Sequence, residues 1–350
     1  MKNFYNAPQE NDGWGYTLYL KNAEPQLVAN DIVLTCGRVG VINNHGAPIN
    51  LGISNVVLTN GPYGTAWGMK LFETSGSITD SVFTGLGYMM KGVKPVDGHP
   101  VYFSPIGDHF FAGMTCIDNG GNCQFVNRDY GFPDPKTGLP VMDANPTTQT
   151  TVAFHDCTWH NNAWNHAGNG GGGAGQVALY NATHQGTKLV FADSVFTNTR
   201  PYPGKAAAKQ GPSPRAAIVV WHESWAGKPG AGTTKVGNLE PDASKFFESL
   251  TILRCSFRST QADRALIQVS GTLSISITDW KYDAIGEAFS EIDSWKPVIQ
   301  IDKDVTDPVR ARTINIDAVP GAPGNIEHTL PSGEVVVTPV SEGYHYEAVT

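Results

Sequence analysis

The chain has 350 residues, with 39 glycines, 23 prolines and only 16% charged residues. Its hydrophobic content of 40% excludes a disordered chain and leaves room for a sizeable core. A net charge of −8, without any lysine- or arginine-rich run, excludes the basic surface that nucleic acid requires.

The first 50 residues begin MKNFYNAPQENDG, which lacks the apolar stretch of a signal peptide. They are expected to form an N-terminal cap. From residue 51 one motif recurs. ISNVVL ends at Leu58, SITDSVFTG begins at Ser77, AGMTCI ends at Ile117, and VAFHDCTWHNN begins at Val152. KLVFADSVFTNT, LTILRCSFRST and LSISITDWKYD follow from Lys188, Leu250 and Leu273. The fuller copies carry an aromatic anchor: Phe83, Trp159, Phe196, Phe257 and Trp280. An apolar residue precedes each anchor by five positions, and a small one by two: Ser81, Cys157, Ser194, Cys255 and Thr278. Leu58 and Ile117 anchor the two looser copies.

Between copies lies a second, short apolar strand. It reads GMKLFE (68–73), HPVYFS (99–104), CQFVN (123–127), QVALYN (176–181), AIVVWH (217–222), ALIQVS (265–270) and PVIQI (297–301). The anchors step by 25, 34, 42, 37, 61 and 23 residues. A unit as small as the shortest step cannot bury its apolar side alone, so it must stack on copies of itself. The expected fold is therefore all-β: a right-handed parallel β-helix of about seven rungs over residues 51–317. Alternation puts Val152 and Phe154 inside and Ala153 and His155 outside, with a sharp turn near Asp156. A sandwich has no reason to repeat one motif, and a propeller blade needs roughly 40–50 residues.

DAIGEAFSEIDSW (283–295) is the one helix candidate, with Ile285, Ala288, Phe289 and Ile292 on one face. Residues 318–350 read as an extended C-terminal arm, lying against its own body or a neighbouring subunit. Long loops at 129–150, 163–175, 199–215 and 224–248 carry Tyr130, Trp164, Tyr202 and Trp225. Trp164, Tyr202 and Trp225 are the expected glycan or partner contacts. GNGGGGAG (168–175) is no phosphate loop, because neither Lys-Ser/Thr nor a helix pattern follows it. The apolar run AAIVVW (216–221) is too short for a membrane span.

Five cysteines without a CxxC do not suggest a disulfide framework. His155, Cys157 and His160 sit close in sequence, but Cys157 takes the small-residue slot of the repeat, which explains it without a metal. If the chain is an enzyme, its catalytic candidates are Asp108, His109, Asp156, Asp193, Glu223, Asp263 and Arg264. Asp129, Arg128 and His222 are further charged or titratable groups of the same kind. Asp80, Asp156 and Asp193 share one repeat position. Stacked about 4.8 Å apart, they would bind calcium or raise one pKa by like-charge repulsion. Aspartate also simply favours turns. No other cofactor or metal is expected.

The pattern resembles the pectate-lyase-like superfamily of right-handed β-helices over about residues 51–317. That fold hosts enzymes, binding proteins and viral structural proteins. The polygalacturonase-like members carry Asn-Thr-Asp, Asp-Asp, Gly-His-Gly and Arg-Ile-Lys in order. This chain has no Asp-Asp and no Arg-Ile-Lys, and its Asn44-His45-Gly46 lies at the wrong end. Ile106-Gly107-Asp108-His109 matches the Trp-Ile-Asp-His strand of pectate lyases only loosely. The resemblance to phage β-helix proteins implies a non-catalytic virion structural protein of a tailed bacteriophage, as a capsid decoration or tail component. It would be made in the host cytoplasm and assembled with capsid or tail proteins as a homo-oligomer, a trimer by analogy. The alternatives are a tailspike-like polysaccharide lyase or glycoside hydrolase, and a module binding a host surface glycan. Neither nucleic acid nor membrane insertion is expected.

Overall fold

A computed structural model describes residues 16–20, 26–36, 39–43, 49–61, 64–65, 67–89, 99–126, 150–163, 175–180, 186–199, 216–221, 246–259, 265–285, 297–303 and 309–348. These residues are all-β, and nearly all the strands join one large, mostly parallel sheet. Parallel pairing links most strands to their equivalents one repeat away, so three stacks of strands recur in a fixed order along the chain. One repeat, with one strand in each stack, is called a tier below.

The first stack includes Ile49–Thr59, Thr151–His155, Thr187–Ala192, Phe247–Leu253 and Thr272–Thr278. Its inward column runs Ile53, Ile78, Phe111, Phe154, Phe191, Ile252 and Ile277 in direct register. These residues are buried. The rings of Phe111, Phe154 and Phe191 lie face to face, with centroids 4.8 and 4.7 Å apart. That separation is the natural spacing of neighbouring strands, so identical aromatic slots in successive tiers become a continuous ring stack.

The second stack includes Val82–Thr84, Thr115–Ile117, Thr158–His160, Val195–Asn198, Ser256–Ser259 and Lys281–Ala284. Its inward column is Leu58, Phe83, Cys116, Trp159, Phe196, Phe257 and Tyr282. Two anchors therefore differ from the sequence reading. Cys116 replaces Ile117 because Met114 occupies the neighbouring core slot and leaves room for only a small anchor. Tyr282 replaces Trp280, whose buried indole fills the small-residue slot and donates to the Asp317 carbonyl at 2.8 Å. A bulky residue can occupy the small-residue slot, beside a small anchor at Cys116 and a large one at Tyr282, so a motif defined by residue size slips there.

The third stack holds the second strand kind: Val39–Asn43, Cys123–Val126, Gly175–Tyr180, Ala216–Trp221, Ile267–Val269 and Ile299–Ile301, among others. Every one of the seven expected segments contains a strand of this stack. All three stacks turn their inward faces to one shared core.

The ends carry the main surprises. Gln26–Thr35 pairs in parallel with Ile49–Thr59, Leu34 opposite Leu58, so the repeat already runs within the segment expected to be a cap. At the other end, Asn325–Thr329 pairs in parallel with Ile299–Ile301, and Val335–Pro339 folds back antiparallel upon it. Tyr344–Glu347 pairs antiparallel with Thr313–Ile316. The C-terminal segment thus lies against its own body. Of the helix candidate, Asp283 and Ala284 belong to the strand Lys281–Ala284, and 286–295 lies outside the described residues.

Candidate functional site

The first and second stacks meet at a one-residue corner. The residue there has a left-handed backbone in tier after tier: Asp31, Asn55, Asp80, Asp156, Asp193, Arg254 and Asp279, with φ between 47 and 55°, and Gly113 at 61°. Asp and Asn tolerate this region better than other non-glycine residues, because a short polar side chain can bond locally. The corner amide of each tier donates to a carbonyl of the next: Asp80 to Ala112, Asp156 to Ala192, Asp193 to Leu253. The aspartate column is therefore built into the backbone turn.

Of the candidate acids among the described residues, Asp156 and Asp193 stand at this corner in neighbouring tiers, and Asp108 lies in a strand of the first stack. Asp156 is exposed at its turn. Asp193 receives two bonds from Arg254 of the following tier, Nε to Oδ1 at 2.6 Å and a terminal nitrogen to Oδ2 at 2.8 Å. The guanidinium holds the Asp193 carboxyl below the usual carboxylate range. Asp108 and His109 are neighbours in one strand and so face opposite ways. Asp108 is exposed and accepts the Thr151 amide at 2.8 Å. His109 is buried, bonded to Thr74 Oγ1 at 2.9 Å and to the Gly107 carbonyl at 3.0 Å, and stacked against Phe111. Burial pulls its pKa down to about 4, so the ring is neutral at neutral pH. Glu223, Asp263, Arg264, Asp129, Arg128, His222, Tyr130, Trp164, Tyr202 and Trp225 lie outside the described residues.

Ser81, Ser194, Cys157 and Cys255 fill the small-residue slot just after the corner. Each turns its hydroxyl or thiol to the carbonyl two residues back: Ser81 to Thr79 at 2.7 Å, Ser194 to Ala192 at 2.9 Å, Cys157 to His155 at 3.3 Å. Cys255 does the same to Leu253 at 3.5 Å. Burial pushes the thiols of Cys157 and Cys255 up to about 12 and about 11, so neither is a thiolate at neutral pH. Among the described residues, no group of three or more His, Cys, Asp or Glu side chains is placed to hold a metal.

Two polar assemblies escaped the sequence reading. Past the anchor column, buried Asn119, Asn162 and Gln176 form a ladder. Asn119 Nδ2 donates to Asn162 Oδ1 at 2.8 Å, and Asn162 Nδ2 to the Cys116 carbonyl at 2.8 Å and to Gln176 Oε1 at 3.2 Å. The signal was present as Asp118-Asn119 and Asn161-Asn162, each pair after an anchor strand, with the first residue left-handed. At the C-terminal end, buried His328 bonds the Tyr344 hydroxyl at 3.0 Å and approaches Asp302 Oδ2 at 3.9 Å. Desolvation, helped by Arg310, lowers the pKa of His328 to about 4. No local pattern could have announced this cluster, because its members come from separate strands that only the fold brings together. On the outer surface Phe110 is 46% exposed and its ring lies 5.3 Å from that of His155.

The chain matches no protein-family model, no curated protein and no solved structure.

Proposed function

We propose that the three stacks wind as a right-handed parallel β-helix, and that the chain is a non-catalytic structural protein of a tailed-phage virion, as a capsid decoration or tail component. The observation that carries this reading is the corner column. Its aspartates, which would be the acids of a glycan-cleaving site, serve a left-handed backbone turn, and one of them is tied to Arg254. A glycoside hydrolase needs two carboxyl groups facing one substrate bond at about 5–10 Å. Here Asp108 and Asp193 are each engaged by neighbouring backbone or guanidinium groups. The expected partners are capsid or tail proteins and further copies of the chain.

The test is release of new chain ends from a panel of bacterial envelope polysaccharides by the folded protein. No release is expected. Release that disappears in Asp156→Ala would establish the polysaccharide lyase or hydrolase instead.

Exposed Phe110 beside His155 favours one second reading, a glycan-binding surface. A ring standing clear of the sheet offers a face for a sugar to stack on. Retardation on an immobilised polysaccharide that Phe110→Ala abolishes would support it.

A further inference from the structure

The outward face of the second stack is written in a short code. From the first tier onward its strands read VLT (33–35), VLT (57–59), VFT (82–84), TCI (115–117), TWH (158–160) and VFT (195–197), then SFR (256–258) and KYD (281–283). The middle residue of each is the inward anchor, so the first and third residues point outward. Two parallel columns result. Neither carries Asp, Glu, Lys or Arg through six tiers, on a chain whose net charge is −8. The outward face of the first stack, by contrast, bears Asp108 and Lys188. Val33 and Val195 are 68% and 39% exposed. The last two tiers then add Arg258, Lys281 and Asp283, with Arg258 Nε 3.1 Å from Asp283.

We propose that this face is covered by the same face of a second copy, related by a two-fold axis running along the stack between the two columns. The body's net negative charge resists the approach of another copy elsewhere, whereas a strip of Val, Thr and Ile with the single ring of His160 can be desolvated at little cost. The operation lays the first column of each tier over the third position of the same tier opposite. Each tier then meets the same tier, Val over Thr in the Val-x-Thr tiers, and Lys281 lies over the partner subunit's Asp283. The last tier is thereby complementary to itself. A patch that covers itself is isologous and closes as a dimer. A trimer would need two different patches. The uncharged strip of six tiers is about 24 Å long at the natural spacing of parallel strands, long enough to form the dry centre of an interface. This pairing does not depend on the virion reading, and the polysaccharide assay above is indifferent to it.

Analytical ultracentrifugation of the full chain tests it. A dimer is expected. Thr84→Glu, at an outward position in mid-strip, should weaken it about tenfold or more while leaving the circular dichroism spectrum unchanged. Thr158→Glu serves the same purpose if the first variant misfolds. Lys281→Glu should also weaken the dimer by setting two acids face to face, and Lys281→Glu combined with Asp283→Lys should restore it. A wild-type chain that sediments as a monomer at its highest soluble concentration, or as a trimer, overturns the proposal. So does a dimer indifferent to both mid-strip glutamates in folded protein.

Discussion

Asp193 and Arg254 stand at the same left-handed corner in neighbouring tiers, and their side chains close a two-point ion pair at 2.6 and 2.8 Å. Sixty-one residues of chain separate them. The pair is exposed, so its worth lies in orientation more than in stability. Titration followed by carboxyl carbon NMR should find Asp193 below the ordinary aspartate value, and Arg254→Ala should return it upward. No movement of the Asp193 resonance in that variant would mean that the pair does not persist in solution.

The corner itself gives a second expectation. Asp156 has φ of 51°, a backbone that glycine adopts freely and β-branched residues resist. Asp156→Gly should hold stability to within about 0.5 kcal/mol of wild type, while Asp156→Val should lose about 1–2 kcal/mol. Urea denaturation separates the two. A residue kept for catalysis would show the opposite sensitivity, with activity rather than the unfolding midpoint responding to the glycine.

Asn162 joins its neighbours through both ends of its amide, bonding Asn119, Gln176 and the Cys116 carbonyl. Asn162→Leu would leave these buried groups without their partner. The expected loss is about 3 kcal/mol, from one or two unsatisfied polar groups in a dry interior. A loss no larger than that of an exposed substitution would show that the ladder contributes no net stability.

Acid should act through His109. Its folded-state pKa lies at about 4, below the 6.5 of an unperturbed histidine. The unfolded chain therefore takes up this proton before the folded one does. Its contribution is fully present above pH 6.5 and is lost as the pH falls toward 4. A shift of that size is worth about 3 kcal/mol for a group so deeply buried. Denaturation curves measured across this window should lose stability steadily, and His109→Gln should flatten the slope. An unchanged slope would place the acid sensitivity elsewhere, with buried His328 the next group to substitute.

The repeat was legible because each slot makes the same demand in every tier. An inward aromatic or aliphatic residue recurs at fixed spacing, and so do the strands of the third stack. The slips at Cys116 and Tyr282 arose where a bulky residue, Met114 or Trp280, occupies the small-residue slot, so that residue size no longer marked position. The first tier was missed because Val33 and Leu34 sit in a copy whose anchor is aliphatic and whose strand is largely exposed. Within the candidate site, the turn role of the aspartates was readable from composition, whereas the opposed directions of Asp108 and His109 required only their adjacency in a strand. The His328 cluster draws Asp302, His328 and Tyr344 from separate strands, through the parallel pairing of Asn325–Thr329 and the antiparallel return of Tyr344–Glu347, and no short motif links the three.

The one-residue corner has a consequence for how such a chain can change length. From Ile53 to Leu58, from Phe154 to Trp159 and from Ile277 to Tyr282 the interval is the same five residues. The anchors themselves lie anywhere from 24 to 61 residues apart, so all growth has entered at the other two corners. One edge behaves as a ruler and the others as open margins. A peptide spliced in between Ser259 and Ala265 should ride as a passenger, since a longer loop adds little closure entropy. A single residue added between Asp156 and Cys157 would turn Trp159 out toward water and bring Thr158 or His160 into the ring column.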